Sequence, residues 1–178
     1  MLAILFTAAV AARGLRPQTS SPASPGPAFA EARPLPGKTA PVAGEMAPDF
    51  EILHPDGRRT RLSDLRGRPV IINFWASWCG PCRVEMPELV RVYEAHREAG
   101  LTILAVNLEE PEDRIQAFAQ EFRIPFPVLR DPEGRLADRY QIHSLPSSIF
   151  IGRDGVIAAR WIGLLTPSLL EKHLRRIL

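Results

Sequence analysis

The chain has little of what most reactive or binding surfaces are made from. It holds two cysteines and four histidines in 178 residues, and only Lys38 and Lys172 among its 22 cationic side chains are lysines. His54, His96, His143 and His173 stand at no ligand-like spacing to one another, so one cysteine pair has no second half with which to close a four-ligand zinc site. No metal is implied. No uncharged apolar run approaches the roughly 20 residues that cross a bilayer as a helix. Charge excess is missing too: residues 49–178 carry 18 Lys and Arg against 18 Asp and Glu. A neutral balance of this kind implies no basic face for nucleic acid.

What is present is concentrated. Both cysteines lie in one tetrapeptide, Cys79-Gly80-Pro81-Cys82, placed where an apolar run ends and an amphipathic helical pattern begins. A structural disulfide closing so short a loop would stabilise the fold by only about 2 kcal/mol. Reversible dithiol chemistry is the better use of such a pair. The expected cofactor inventory is therefore empty apart from a redox-active Cys79–Cys82 disulfide.

The front of the chain divides into two stretches. Residues 1–12 carry no charge and suit the core of a signal peptide or an anchor-like segment, and no cysteine follows them to carry a lipid. Export, with a membrane tether as the alternative, is the expectation. Residues 13–45 are rich in Pro, Ser, Ala and Gly and read as a flexible spacer. Residues 46–178 form the expected folded domain.

Within that domain strand and helix patterns alternate. Residues 49–53 and 58–62 flank a His-Pro-Asp-Gly turn and predict a hairpin. The run Val70-Ile71-Ile72-Asn73-Phe74-Trp75 predicts a strand buried on both faces. The helix after the cysteines carries an apolar stripe of Met86, Leu89, Val90 and Tyr93, with Pro87 expected to kink it. A strand over 101–107 and a helix opened by Pro111, with Ile115, Phe118, Ala119 and Phe122 on one face, come next. Strands over 126–129 and 147–151 bracket a short helix over 136–140. A turn at 152–155 leads to a strand over 156–162 and a helix begun by Thr166-Pro167. The order predicts an α/β fold, a mixed sheet with helices on both faces.

The two thiols differ in this arrangement. Cys82 projects onto the stripe of Met86, Leu89 and Tyr93 and should be partly buried. Cys79 precedes the first helical turn, where it should be exposed and its thiolate stabilised by free N–H groups and the helix dipole. Cys79 is then the nucleophile and Cys82 the resolving thiol. Glu85 lies one turn beyond Cys82 at the stripe's margin, which permits proton exchange with that thiol; an ordinary solvated glutamate fits the same spacing. His143 reads as a loop residue.

Phe74-Trp75-Ala76-Ser77-Trp78-Cys79-Gly80-Pro81-Cys82 resembles the thioredoxin active-site signature. Three further features make residues 46–178 similar to the TlpA/ResA/CcmG-like extracytoplasmic thiol–disulfide oxidoreductases, relatives of the redoxin (AhpC/TSA) group. They are the Ala47-Pro48-Asp49-Phe50 opening, Cys82-Arg83-Val84-Glu85-Met86-Pro87, and the long stretch between Val106-Asn107 and Leu145-Pro146. The resemblance implies a thioredoxin-like sheet with an N-terminal hairpin and an inserted α/β element. It implies a carboxyl role for Glu85, since thioredoxin itself places a buried carboxylate where this chain has Asn73. It makes the Leu145–Pro146 bond cis, although X-Pro bonds are mostly trans, and turns Pro146, with Leu145 and Trp78, toward the substrate. Trp75 and Trp78 otherwise read as packing residues beside the site. The implied partners are an oxidised exported protein such as apocytochrome c and a membrane-embedded electron donor, outside the cytoplasm. Two other classes share features with the chain. A peroxiredoxin-like peroxidase has the same opening but a Pro and a Thr ahead of its cysteine, which Trp75-Ala76-Ser77-Trp78 does not supply. Copper-delivery relatives space their cysteines one residue wider.

Overall fold

A computed structural model describes residues 29–37 and 41–178. The apolar run at 1–12 and most of the Pro-rich stretch lie outside the described residues. Strand β1 (Ala30–Pro34) is followed by β2 (Phe50–Leu53), β3 (Arg59–Arg61), β4 (Val70–Trp75), helix α1 (Gly80–His96), β5 (Thr102–Leu108), α2 (Glu112–Glu121), β6 (Val128–Asp131), α3 (Arg135–Arg139), β7 (Ser147–Ile151), β8 (Ile157–Ile162) and α4 (Pro167–Leu174). The eight strands form one sheet in the order β3-β2-β1-β6-β5-β4-β7-β8. β1, β6, β5 and β4 run parallel, and both flanks are antiparallel.

Strand β1 corrects the sequence reading. Residues 30–34 fall inside the stretch assigned to a spacer ending at residue 45, yet they pair with β2 on one side and β6 on the other. Its inward residues are Ala30 and Ala32, both buried. Alanines give almost no hydrophobic alternation, so the strand is specified by the edges it joins rather than by its own pattern. The segment after it also contacts the domain: Gly44 donates to the Ile157 carbonyl, and Ile157 to that of Glu45.

β4 sits at the centre and is buried along its whole length. Ile71 and Trp75 face a core cluster with Met86, Leu89 and Val92 of α1, Phe118 of α2, and Leu170 and Leu174 of α4. Val70, Ile72 and Phe74 face a second cluster with Phe50, Leu62, Leu136 and Tyr140. Two-sided burial is why β4 reads as a continuous apolar run. Met86 and Leu89 are fully buried, each stabilising the fold by about 2 kcal/mol through area removed from water. Val92 takes the inward position next to Tyr93, which is half-buried like Val90. Helix α1 runs without a break through Pro87, whose ring is exposed.

Candidate active site

Three buried polar side chains interrupt the apolar face beneath α1: Asn73 of β4, Asn107 of β5 and Ser148 of β7. Alternation along each strand turns them to the face of Ile71, Ala105 and Phe150, the face that α1 covers. They lie at or near the strand ends from which the Cys79 loop and α1 emerge, and the two asparagines each bond a carboxylate while Ser148 bonds Asn73.

The cysteines are joined, with Cα atoms 5.3 Å apart. Cys79 is the N-cap of α1, and the Cys82 amide donates to its Sγ at 3.2 Å. That N–H belongs to the helix's unpaired first turn, so it supplies to a Cys79 thiolate the partner that a capping oxygen would otherwise supply to the helix. Pro81 has no N–H to leave unpaired, and Gly80 and Pro81 are both exposed. Cys82 is fully buried, beyond the partial burial expected from its place on the stripe. Cys79 is not the exposed residue expected: only 4% of its surface is open. Its sulfur is folded back onto the helix amide and bonded to the buried Cys82 sulfur, leaving a narrow edge for attack. Trp78, 74% exposed, stands beside it and is a surface residue rather than a packing one. Trp75 does pack, fully buried with its ring 4.2 Å from that of Phe118.

Glu85 is buried to 1%, deeper than the margin of the stripe suggested. Its Oε1 accepts from Asn73 Nδ2 at 2.8 Å and its Oε2 from the Leu165 amide at 2.9 Å. Asn73 Nδ2 also reaches Ser148 Oγ at 3.0 Å. Burial pushes the carboxyl up to about 7, with the Leu165 and Asn73 donors opposing. Desolvation wins because two neutral donors replace only part of the hydration an ionised carboxylate loses. A carboxyl that titrates near neutrality on the buried face of the cysteine helix is suited to proton transfer. Both of its anchors are remote in sequence, which is why spacing alone left a solvated side chain open.

The Leu145–Pro146 bond is cis. The Pro146 carbonyl accepts from the Gly163 amide at 2.8 Å. Leu145 is half-buried and packs against the core cluster that contains both cysteines. With Trp78 it lines a cleft of about 370 Å³ bordered by Leu108, Ile142 and His143. His143 is an exposed loop residue, as read. Trp78 and Leu145 therefore meet along one surface beside the disulfide.

Sequence reasoning missed a second carboxylate. Glu110 accepts from the Ser77 amide at 2.6 Å, Ser77 Oγ at 2.5 Å and Asn107 Nδ2 at 2.7 Å. These bonds fix the loop between β4 and Cys79. Asn107, a polar residue near the end of an apolar strand, was the available signal.

A dithiol at the mouth of a helix, above a central parallel strand and beside a cis-proline loop, defines a thioredoxin-fold thiol–disulfide oxidoreductase. The comparisons agree. The chain belongs to the AhpC/TSA family, whose model matches residues 43–160. It is 37% identical over 140 residues to the thiol-disulfide oxidoreductase ResA of Geobacillus kaustophilus, covering 79% of this chain and 80% of that protein. Among solved structures it resembles a protein from Chlorobium tepidum described as the thiol:disulfide interchange protein DsbE. That match has 31% identity and a TM-score of 0.69 over 75% of this chain and 96% of the other. A second, described as a protein disulfide isomerase from Bacteroides thetaiotaomicron, has 30% identity and a TM-score of 0.67 over 75% and 87%.

Proposed function

We propose that this oxidoreductase works outside the cytoplasm, reducing disulfides of exported proteins, with apocytochrome c and its Cys-x-x-Cys-His haem site as substrate. A membrane-embedded electron-transferring protein returns the active site to the dithiol. The observation that carries the reading is the pairing of a helix-capped Cys79 with a buried Glu85 on the helix that holds Cys82. The ResA and DsbE likenesses support the extracytoplasmic setting, and the uncharged run at residues 1–12 supports export or a tether.

The steps follow from the two thiols. The Cys79 thiolate, stabilised by the Cys82 amide, attacks one sulfur of a substrate disulfide. A Cys79–substrate disulfide forms, and the other substrate sulfur leaves as a thiolate that takes a proton from water. The Cys82 thiol gives its proton to the Glu85 carboxylate, and its sulfur attacks Cys79 Sγ. The second substrate thiolate leaves, and the Cys79–Cys82 disulfide closes with two electrons transferred to the substrate. Glu85 then returns its proton to solvent. Trp78 and Leu145 hold the substrate backbone along the cleft, and Pro146, buried and outside the cleft lining, completes the cis-peptide loop that carries Leu145.

Direction of flow is testable by equilibration with glutathione buffers. Gly80-Pro81 brings no charge between the cysteines, so the Cys79 thiolate has only the helix terminus to stabilise it and the disulfide is the relatively stable form. The expected potential lies nearer the thioredoxin value of about −270 mV than the roughly −120 mV of a dedicated oxidase. A value more oxidising than about −180 mV, the level of protein disulfide isomerase, would replace reduction by disulfide formation or isomerisation.

A further inference from the structure

The arginines are not spread evenly over this nearly neutral domain. At the end of the sheet where the parallel strands begin, away from the cysteines, Arg153 donates to the carbonyls of Gly67 at 3.0 Å, Ala99 at 3.0 Å and Leu178 at 3.2 Å. Those three bonds draw together the loop before β4, the turn before β5 and the chain's last residues. Arg66 and Arg68 stand on the first of these segments and Arg175 and Arg176 on the third, all exposed and none in an ion pair among the described residues. The acids nearby are engaged: Asp64 accepts from the Arg61 amide, Asp154 from the Val156 amide, and Glu98 lies 3.8 Å from Arg97.

The same end carries an apolar groove of about 620 Å³. Ile52, Leu65, Leu104 and Leu129 line it, together with Thr102 and Val128, the first residues of β5 and β6, and Arg58, Asp64 and Arg68 add charge to the lining. Phe29, the first described residue, also lines it. A soluble polyanion matches the arginines and leaves the groove unused. A phospholipid matches both, with phosphate for the guanidiniums and an acyl chain for the groove.

We propose that this pole seats on an anionic phospholipid surface, with Arg66, Arg68, Arg175 and Arg176 at the phosphates and an acyl chain in the groove. The inference extends the reading of a membrane-associated oxidoreductase given above. The six residues of β4 span about 20 Å, so a molecule docked this way carries its disulfide clear of the surface and turned toward substrates.

The test is flotation of the full chain with vesicles of phosphatidylcholine alone or mixed equally with phosphatidylglycerol. Wild type should prefer the anionic vesicles and lose that preference in high salt. Combining Arg66→Ser, Arg68→Ser, Arg175→Ser and Arg176→Ser should reduce the preference on the order of a thousandfold, the effects of the four surface charges adding. Removing Arg114 and Arg135, at the other end of the strands, should leave it largely intact. Cys79 in the reduced protein should react with a bulky maleimide equally fast on and off the vesicles. Equal loss in both sets of variants, no preference for anionic vesicles in wild type, or shielding of Cys79 would overturn the proposal. Insulin reduction in solution should be unchanged in every variant; a wild type inactive in that assay would count against the redox reading and not against docking.

Discussion

Two glutamates serve the same disulfide in opposite ways. Glu85 hangs from α1 into the core, is 1% exposed, and holds two neutral donors from Asn73 and Leu165. Glu110 sits half-exposed in the loop after β5 and gathers three donors from Ser77 and Asn107. Each is anchored to an asparagine on the sheet face beneath α1. What separates them is water. At Glu85 the loss of hydration outweighs the hydrogen bonds and the carboxyl holds its proton to about pH 7. At Glu110 solvent shares the load, and the carboxylate works as a clamp on the segment that delivers Cys79. Burial, not residue type, separates the two, and in the function proposed above it divides proton exchange from positioning.

Glu85→Gln probes the first half of that comparison and has the largest expected effect. The folded-state value near 7 lies above the ordinary glutamate value of 4.5. The contribution of Glu85 to stability is therefore fully present below pH 4.5 and lost as pH rises through 7. Glutamine never ionises. Relative to wild type, the variant should gain up to about 3 kcal/mol between pH 4 and pH 9 in chemical denaturation, on top of a pH-independent cost because glutamine offers one acceptor to the two donors. It should also slow thiol–disulfide exchange and simplify the pH profile of thiol reactivity. A constant stability difference across that range would mean that Glu85 is not held protonated by burial.

Glu110→Ala probes the second half. Three donors lose their acceptor, one of them on the buried Asn107, at an expected cost of about 2 kcal/mol because solvent reaches part of the site. The change should also free the segment before Cys79, read as faster amide hydrogen exchange at Ser77. Unchanged stability and unchanged exchange at Ser77 would remove Glu110 from the account.

His173 gives the smallest effect and the opposite sign. It is 7% exposed, stacked 4.8 Å from Phe150, and neither ring nitrogen has a hydrogen-bond partner among the described residues. Burial first, then Arg176 and Lys172, hold its pKa below the ordinary 6.5. The neutral ring is favoured in the fold, so wild-type stability should decline as pH falls below about 6.5. His173→Phe should flatten that decline. An unchanged acid limb would remove His173 from the account.

Legibility in the sequence followed the range of the interactions. Helix α1, strand β4 and the unequal cysteines are written in local periodicity, and each was readable from residues within one or two turns. Ser147–Ile151 and the Thr166 cap of α4 came through for the same reason. Strand β1 did not, because Ala30 and Ala32 carry no pattern of their own and depend on β2 and β6. Glu85 was half-legible: its spacing from Cys82 is local, while the burial that sets its proton affinity depends on Asn73 and Leu165, 12 and 80 residues away. Glu110 had only Asn107, three residues before it, as a local signal, and no rule joins it to Ser77, 33 residues earlier. The small open edge of Cys79 likewise comes from the sulfur's return to its own helix, a rotamer rather than a pattern.

The central claim is that Cys79 attacks and Cys82 resolves. Expressing Cys82→Ser and Cys79→Ser separately in the native envelope and recovering disulfide-linked adducts tests it directly. Cys82→Ser should accumulate mixed disulfides through Cys79, among them apocytochrome c, while Cys79→Ser, left with a fully buried thiol, should trap almost none. Equal trapping by the two variants, or trapping through Cys82 alone, would contradict the assignment.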